Sequence, residues 1–147
     1  MASVTSNKLR TLLLNTGINM LSDTIKVALV TSAHTPAVGD NFMSTYTASE
    51  LSGTGYTAGF GGAGRKTLGS KSVTQDDTNN WGVFTAADPT WTAINAGTAA
   101  AAVILNEVTS DADSPVLAVV VFGSSVVTNG GDFTIHWAST GGIFNIG

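Results

Sequence analysis

Ser49-Glu-Leu-Ser-Gly-Thr-Gly-Tyr-Thr-Ala-Gly-Phe-Gly-Gly-Ala-Gly-Arg-Lys66 divides an amphipathic start from a long run of strand-like segments, and two readings of it lead to two different folds. Read as a phosphate cradle, Gly59 to Gly64 satisfies G-x-G-x-x-G. Gly59 to Thr67 also comes within one residue of the P-loop pattern G-x-x-x-x-G-K-[ST]. Such a cradle needs a buried strand entering the glycines and a helix leaving them, with the helix N-terminus facing the phosphate. Neither flank fits: Ser52-Gly-Thr-Gly55 upstream is a polar turn, and Leu68-Gly-Ser-Lys-Ser-Val73 downstream has no helical periodicity. Arg65 separates Gly64 from Lys66 and breaks the P-loop spacing. The glycines are therefore read as suppliers of positive backbone dihedrals and close chain approach in a turn, bulge or loop. With no nucleotide cradle and no long crossover helices, an α/β fold is disfavoured.

Working outward toward the N-terminus, Met1-Ala-Ser-Val-Thr-Ser6 is polar and reads as a flexible arm, with Ser6 or Asn7 available as a helix cap. Leu9, Leu12, Leu13 and Thr16 fall at helical spacing and predict one short helix, which Ile18, Met20 and Leu21 would extend by a turn. Ile25, Val27 and Leu29 alternate with Lys26, Ala28 and Val30, a strand with one face buried and the other partly covered. His34 to Asp40 is a loop around Pro36 and Gly39.

Toward the C-terminus, Lys71–Thr74 and Trp81–Thr85 read as strands joined by Gln75-Asp-Asp-Thr-Asn-Asn80, whose Asp and Asn side chains favour a turn. Ala99 to Leu105 has the alanines of a helix but the flanks of a buried strand. Val116 to Phe122 is a strand covered on both faces, Gly123 begins a loop, and Asn129-Gly130 signals a hairpin. Phe133, Ile135 and Trp137 form a packed stripe with His136 facing outward, and Ile143 to Ile146 is an edge strand. The expected fold is all-β: one domain over residues 1–147, a β-sandwich or barrel-like body of about seven or eight strands with one short N-terminal helix.

Charge is scarce. Only 11% of residues are charged, against roughly 25% in an ordinary domain, and the formal net charge is −4. That balance argues against nucleic acid, which needs a clustered basic surface; Arg65-Lys66 and Lys8/Arg10 read as solvated. No apolar run approaches the roughly 20 residues that span a bilayer, so no membrane partner is expected and the chain reads as soluble and unsecreted. The absence of cysteine excludes disulfides and thiol nucleophiles.

No catalytic grouping emerges from the residues. His34 and His136 lack ligand spacing, and Asp111-Ala-Asp113 opens like a calcium loop but meets Pro115 where a ligand is needed. Asp76-Asp77 and Asp111/Asp113 are read as turn-forming aspartates, and there is no Gly-x-Ser-x-Gly elbow for a serine hydrolase. Trp81, Trp91 and Trp137 suggest either a sugar-stacking platform or core; their apolar neighbours favour core. No enzyme activity, cofactor or metal is expected.

Asp23-Thr-Ile-Lys-Val-Ala-Leu-Val-Thr-Ser32 with Thr35-Pro36, then Ala48 to Gly59, resembles small virion structural proteins of tailed bacteriophages. Asp76-Asp77-Thr-Asn79, Asp88-Pro-Thr-Trp91 and Gly130-Gly-Asp-Phe-Thr-Ile-His-Trp137 with Gly142-Ile-Phe144 follow in the same order, so the resemblance covers most of the chain. It departs from the family at Ala58 to Gly64, which looks longer or more glycine-rich than the usual turn there.

The resemblance implies a non-enzymatic particle protein of the capsid decoration, or cement, type. Such a protein is made in the host cytoplasm, sits on the phage head, and is partnered by the major capsid protein and by itself as a homotrimer. A tail or baseplate component and a carbohydrate-binding sandwich at the virion surface are the alternatives. Two segments are candidate capsid contacts because each can order on binding: the arm Met1, Ala2, Ser3, Val4, Thr5 and Ser6, and the loop Gly59, Phe60, Gly61, Gly62, Ala63 and Gly64. Deleting the arm is expected to leave the fold intact, and contact through neutral groups is expected to depend little on salt.

Overall fold

Alanine propensity loses to context between Ala99 and Leu105, and that outcome builds the protein around one long hairpin. In the computed structural model, which describes all residues Met1–Gly147, strand β7 is Gly97–Asn106 and strand β8 is Val116–Thr128. Small alanines there let neighbouring layers approach both faces of a strand that is buried from Ala99 onward.

The other elements, in chain order, are β1 (Val4–Thr5), α1 (Asn7–Leu14), β2 (Ile25–Val30), β3 (Lys66–Thr67), β4 (Ser72–Asp76), β5 (Trp81–Thr85), β6 (Thr90–Trp91), β9 (Phe133–Thr134) and β10 (Phe144–Ile146). Each of the strands expected from the sequence is present, and the two-residue strands β1, β3 and β6 are additional. All pairings are antiparallel: a five-stranded sheet in the order β1-β8-β7-β2-β3, a three-stranded sheet β10-β5-β4, and a two-stranded pair β6-β9. The fold is all-β with a short N-terminal helix, as expected.

One face of the large sheet carries Ile25, Val27, Leu29, Ala102, Ile104 and Leu117 into the main core, against Leu9 of α1, Phe84, Trp91, Ile135 and Ile143. The opposite face carries Ala28, Val30, Ala101, Val103 and Leu105 against Met43 and Tyr46. Met43 opens a short 3-10 turn, Met43–Thr45, and Tyr46 lies between it and a second one, Thr47–Ser49. The second face of β2 is covered at Ala28 and Val30, while Lys26 at its start is half-buried, in keeping with a partly covered face. A shift in register between Ile104 and Leu105 leaves Leu117 as an extra residue in β8, so Val116 and Val119 both serve the second core while Leu117 and Ala118 serve the first.

Four local expectations change. Residues 1–6 are not a free arm: Val4 and Thr5 pair with Val119 and Ala118, and Ser3 Oγ accepts a hydrogen bond from the Val121 amide. Ser6 is 1% exposed; its Oγ accepts from Leu9 N at 2.9 Å and donates to the Val116 carbonyl. The segment docks because the outer edge of β8 offers unpaired backbone groups that a polar tail can satisfy. Deleting Met1 to Ser6 therefore removes a helix cap and an edge strand, contrary to the expectation of an intact fold.

The helix ends at Leu14, with Thr16 at φ 55°, so Leu13 and Leu14 face solvent and only Leu9 is buried. Gly123 does not begin a loop, because β8 runs on to Thr128. Gly130, at φ 93°, does turn the chain, but the strands on either side do not pair with each other: β8 pairs with β7, and β9 with β6.

Candidate interaction surface

Glycines at 62 and 64 are required by space. A Cβ at Gly62 would strike the Thr57 and Ala58 carbonyls, and one at Gly64 would strike the Tyr56 ring. Gly59 and Gly61, at φ 90° and 70°, supply the turn around Phe60, closed by Gly62 N donating to the Gly59 carbonyl at 2.9 Å. Gly64 N donates to the Thr57 carbonyl at 2.9 Å, and Trp91 Nε1 donates to the Gly64 carbonyl at 2.6 Å. The loop leads into β3, a strand and not a helix, so it has no helix N-terminus to hold a phosphate.

Beneath the loop lies a buried polar centre. Arg65, read from the sequence as solvated, has a fully buried side chain. Its Nε and Nη2 donate to the two oxygens of Glu50 at 2.9 and 2.7 Å, a bidentate fork. Nη1 donates to Asp111 Oδ1 at 2.6 Å and to Glu107 Oε2 at 3.2 Å, and Lys26 pairs with Glu107. Glu50 also accepts from the Tyr56 hydroxyl at 3.1 Å and from Gly59 N at 3.2 Å, while the same hydroxyl accepts from Leu29 N. Burial alone would lower the Arg65 pKa, but hydrogen bonds and charge from Glu50 and Asp111 outweigh it and hold the guanidinium charged. Burial, then the Glu50 charge, pushes the Tyr56 phenol far up, so it stays neutral and can donate. Every polar atom buried in this centre has a partner. The centre therefore clamps the glycine loop, which is a held turn with Phe60 exposed at its tip.

The two candidate segments are not brought together. The arm forms the β1 edge of the large sheet and the glycine loop feeds the β3 edge, with β8, β7 and β2 between them. At roughly 4.8 Å per strand the edges lie about 19 Å apart.

The β1 edge holds a feature not anticipated from the sequence. β1 covers β8 only at Ala118 and Val119, and no strand pairs with the outer edge of β8 from Phe122 to Thr128. On the inner side, Val121 faces Ala101 and Val126 faces Ala99, so Phe122 to Ser125 stand opposite Ala100 alone. Val126 and Val127 point to opposite faces, yet they are 40% and 66% exposed. The available signal in the sequence was the run from Ser114 to Gly131 without an ionisable side chain.

The remaining candidates engage in local hydrogen bonds and pairs. Asp40 closes the loop from His34, accepting from Tyr46 Oη at 2.6 Å and Ala37 N at 2.8 Å and lying 2.9 Å from His34 Nε2. Burial would raise its pKa, but these hydrogen bonds outweigh burial and hold it below the ordinary value. His136 pairs with Asp88 at 2.7 Å on the surface. Asp76 does cap its turn, accepting from Thr78 N and Asn79 N. Asp111 is drawn into the Arg65 centre instead, while Asp113 accepts from Thr109 and Ser110. Trp91 is wholly buried, so the three indoles do not form one exposed platform.

Fold and surface together define an all-β protein whose charge is turned inward at one sheet edge and whose neutral apolar strand is turned outward at the other. No family model, curated protein or solved structure matches the chain.

Proposed function

We propose that this chain is a non-enzymatic structural protein of a phage particle, acting as a head decoration protein whose partner is the major capsid protein. The observation that carries this reading is where polarity goes. Arg65, Lys26, Glu50, Glu107 and Asp111 engage one another, while Phe60, Val126 and Val127 are left at the surface. A body of this kind offers neutral contact ground, suited to lattice contacts that individually are modest. A clamp that binds an assembled shell and not its separated subunits stabilises the shell by mass action. The resemblance of the motif order to that of tailed-phage virion proteins supports the particle context.

The test is imaging of heads and tails mixed with the purified protein. Regular added density on the head lattice is the expected result. Density confined to the tail would transfer the reading to a tail or baseplate component, and no added density on either would end it. A truncation suited to testing the arm removes only Met1 and Ala2, because Ser3 to Ser6 are built into the fold.

A further inference from the structure

We infer that the hollow between β8 and the segment Phe133 to His136 is a docking site on a partner protein's path, and that it takes the guanidinium of an arginine carried beside an apolar residue. The hollow is of side-chain size, about 380 Å³; β8 contributes Phe122 and Val126, the later segment contributes Phe133 and Ile135, and the exposed Asp132 and His136 complete it. The Phe122 and Phe133 ring centroids lie 6.0 Å apart at 47°, and the buried Trp91 backs Phe133 at 5.8 Å. Both phenyls are half-buried, so they are held in place and still reach solvent. An aromatic face is electron-rich and attracts a cation, most strongly where water is partly excluded.

Charge selects the occupant. Asp132 Oδ1 accepts from Ala93 N at 3.0 Å, which fixes the carboxylate, and no cationic side chain of the protein pairs with it. His136, the other ionisable group of the hollow, is engaged by Asp88 at 2.7 Å. The protein's own cations end at Lys71 in the sequence, and each is placed elsewhere. Lys8 lies over Phe42, Arg10 bonds Asn7 and Thr5, and Lys26 and Arg65 belong to the buried centre. Lys66 lies on β3 at the far edge of the large sheet, and Lys71 donates to the Asp23 carbonyl.

A carboxylate without a cation, beside two aromatic faces, is the complement of a positive group; neither a neutral strand nor an acidic surface satisfies it. Arginine suits the hollow better than lysine. Its planar guanidinium stacks on an aromatic ring, sheds water more readily and can meet a carboxylate with two N–H groups. Val126, 40% exposed in the same hollow, favours an apolar neighbour for that arginine. The site does not require the head reading.

Nuclear magnetic resonance titration of the full chain with a capped pentapeptide, Gly-Leu-Arg-Leu-Gly, tests it. Saturable shifts are expected at amides between Phe122 and His136. The same peptide with citrulline, the neutral isostere of arginine, is expected to bind at least about tenfold more weakly. Asp132→Asn keeps the acceptor for Ala93 N and removes the charge, while Phe122→Leu keeps apolar bulk and removes the ring face. Each is expected to weaken binding at least about threefold with unchanged circular dichroism. Asp77→Asn, at an exposed aspartate next to β4, is expected to bind as the parent does. Absence of saturable shifts in the parent, or equal binding of the citrulline peptide, would overturn the inference. So would a loss with Asp77→Asn as large as with Asp132→Asn, which would reduce the effect to general attraction by an acidic body. Free arginine binding as tightly as the peptide would assign the hollow to a small molecule and overturn the docking role.

Discussion

The two edges of the large sheet are finished in opposite ways. At the β3 edge, a glycine turn is held over a buried ion cluster in which Glu50, Arg65, Glu107 and Asp111 leave no polar atom unpaired. At the β1 edge, a two-residue strand docks on a thirteen-residue one, and Gly123 to Val127 of the longer strand stay exposed and neutral. The difference shows how a protein with few charges distributes them. Concentrated inside, charges fix the geometry of a loop that its composition alone would leave loose; withheld from an edge, they leave it without the charge that would blunt it.

The contrast breaks most severely at Arg65. Arg65→Ala strands Glu50 and Asp111 in a buried site, and chemical denaturation should show a loss of about 3–5 kcal/mol. Gly64→Ala drives a methyl into the Tyr56 ring above the same centre and should cost about 1–3 kcal/mol by the same measurement. On the other edge, Ser6→Ala loses the cap on Leu9 N and the bond to Val116, for about 1–2 kcal/mol. Equal losses for Arg65→Ala and Ser6→Ala would show that the two edges are not anchored differently.

Between the edges, the Asp40 clasp over Tyr46 predicts a smaller, pH-dependent effect. Its folded pKa lies below the ordinary 3.8, so its contribution is complete above that value and is lost as pH falls through the folded pKa. Asp40→Asn should therefore flatten the acid limb of the stability profile between neutral pH and acid unfolding. An acid limb identical to the parent's would assign acid sensitivity to other carboxylates.

Much of this architecture was readable from local pattern. Alternation located β2 and the Phe133–Ile135 stripe, because a strand with a buried face must repeat every two residues; a continuous apolar run located β8, and β4 and β5 were located by the turn between them. Ser6 as cap and Asp76 as turn-former were legible because their hydrogen bonds span three residues or fewer. The glycine stretch was correctly read as a turn from its flanks.

What local pattern could not decide were pairings between distant residues. Arg65 looked solvated because its partners lie at positions 50, 107 and 111, and only folding brings them within hydrogen-bond reach. Residues 1–6 looked like a loose arm because the strand that receives them begins at Val116. The exposure of Gly123 to Val127 on β8 depends on where β1 stops and how β7 slips past it, and neither is written in the valines themselves. Periodicity reports which face of a strand is buried, since that is a property of neighbouring residues; which edge is covered, and by what, follows from the order of strands in the sheet, which is settled only when the whole chain packs.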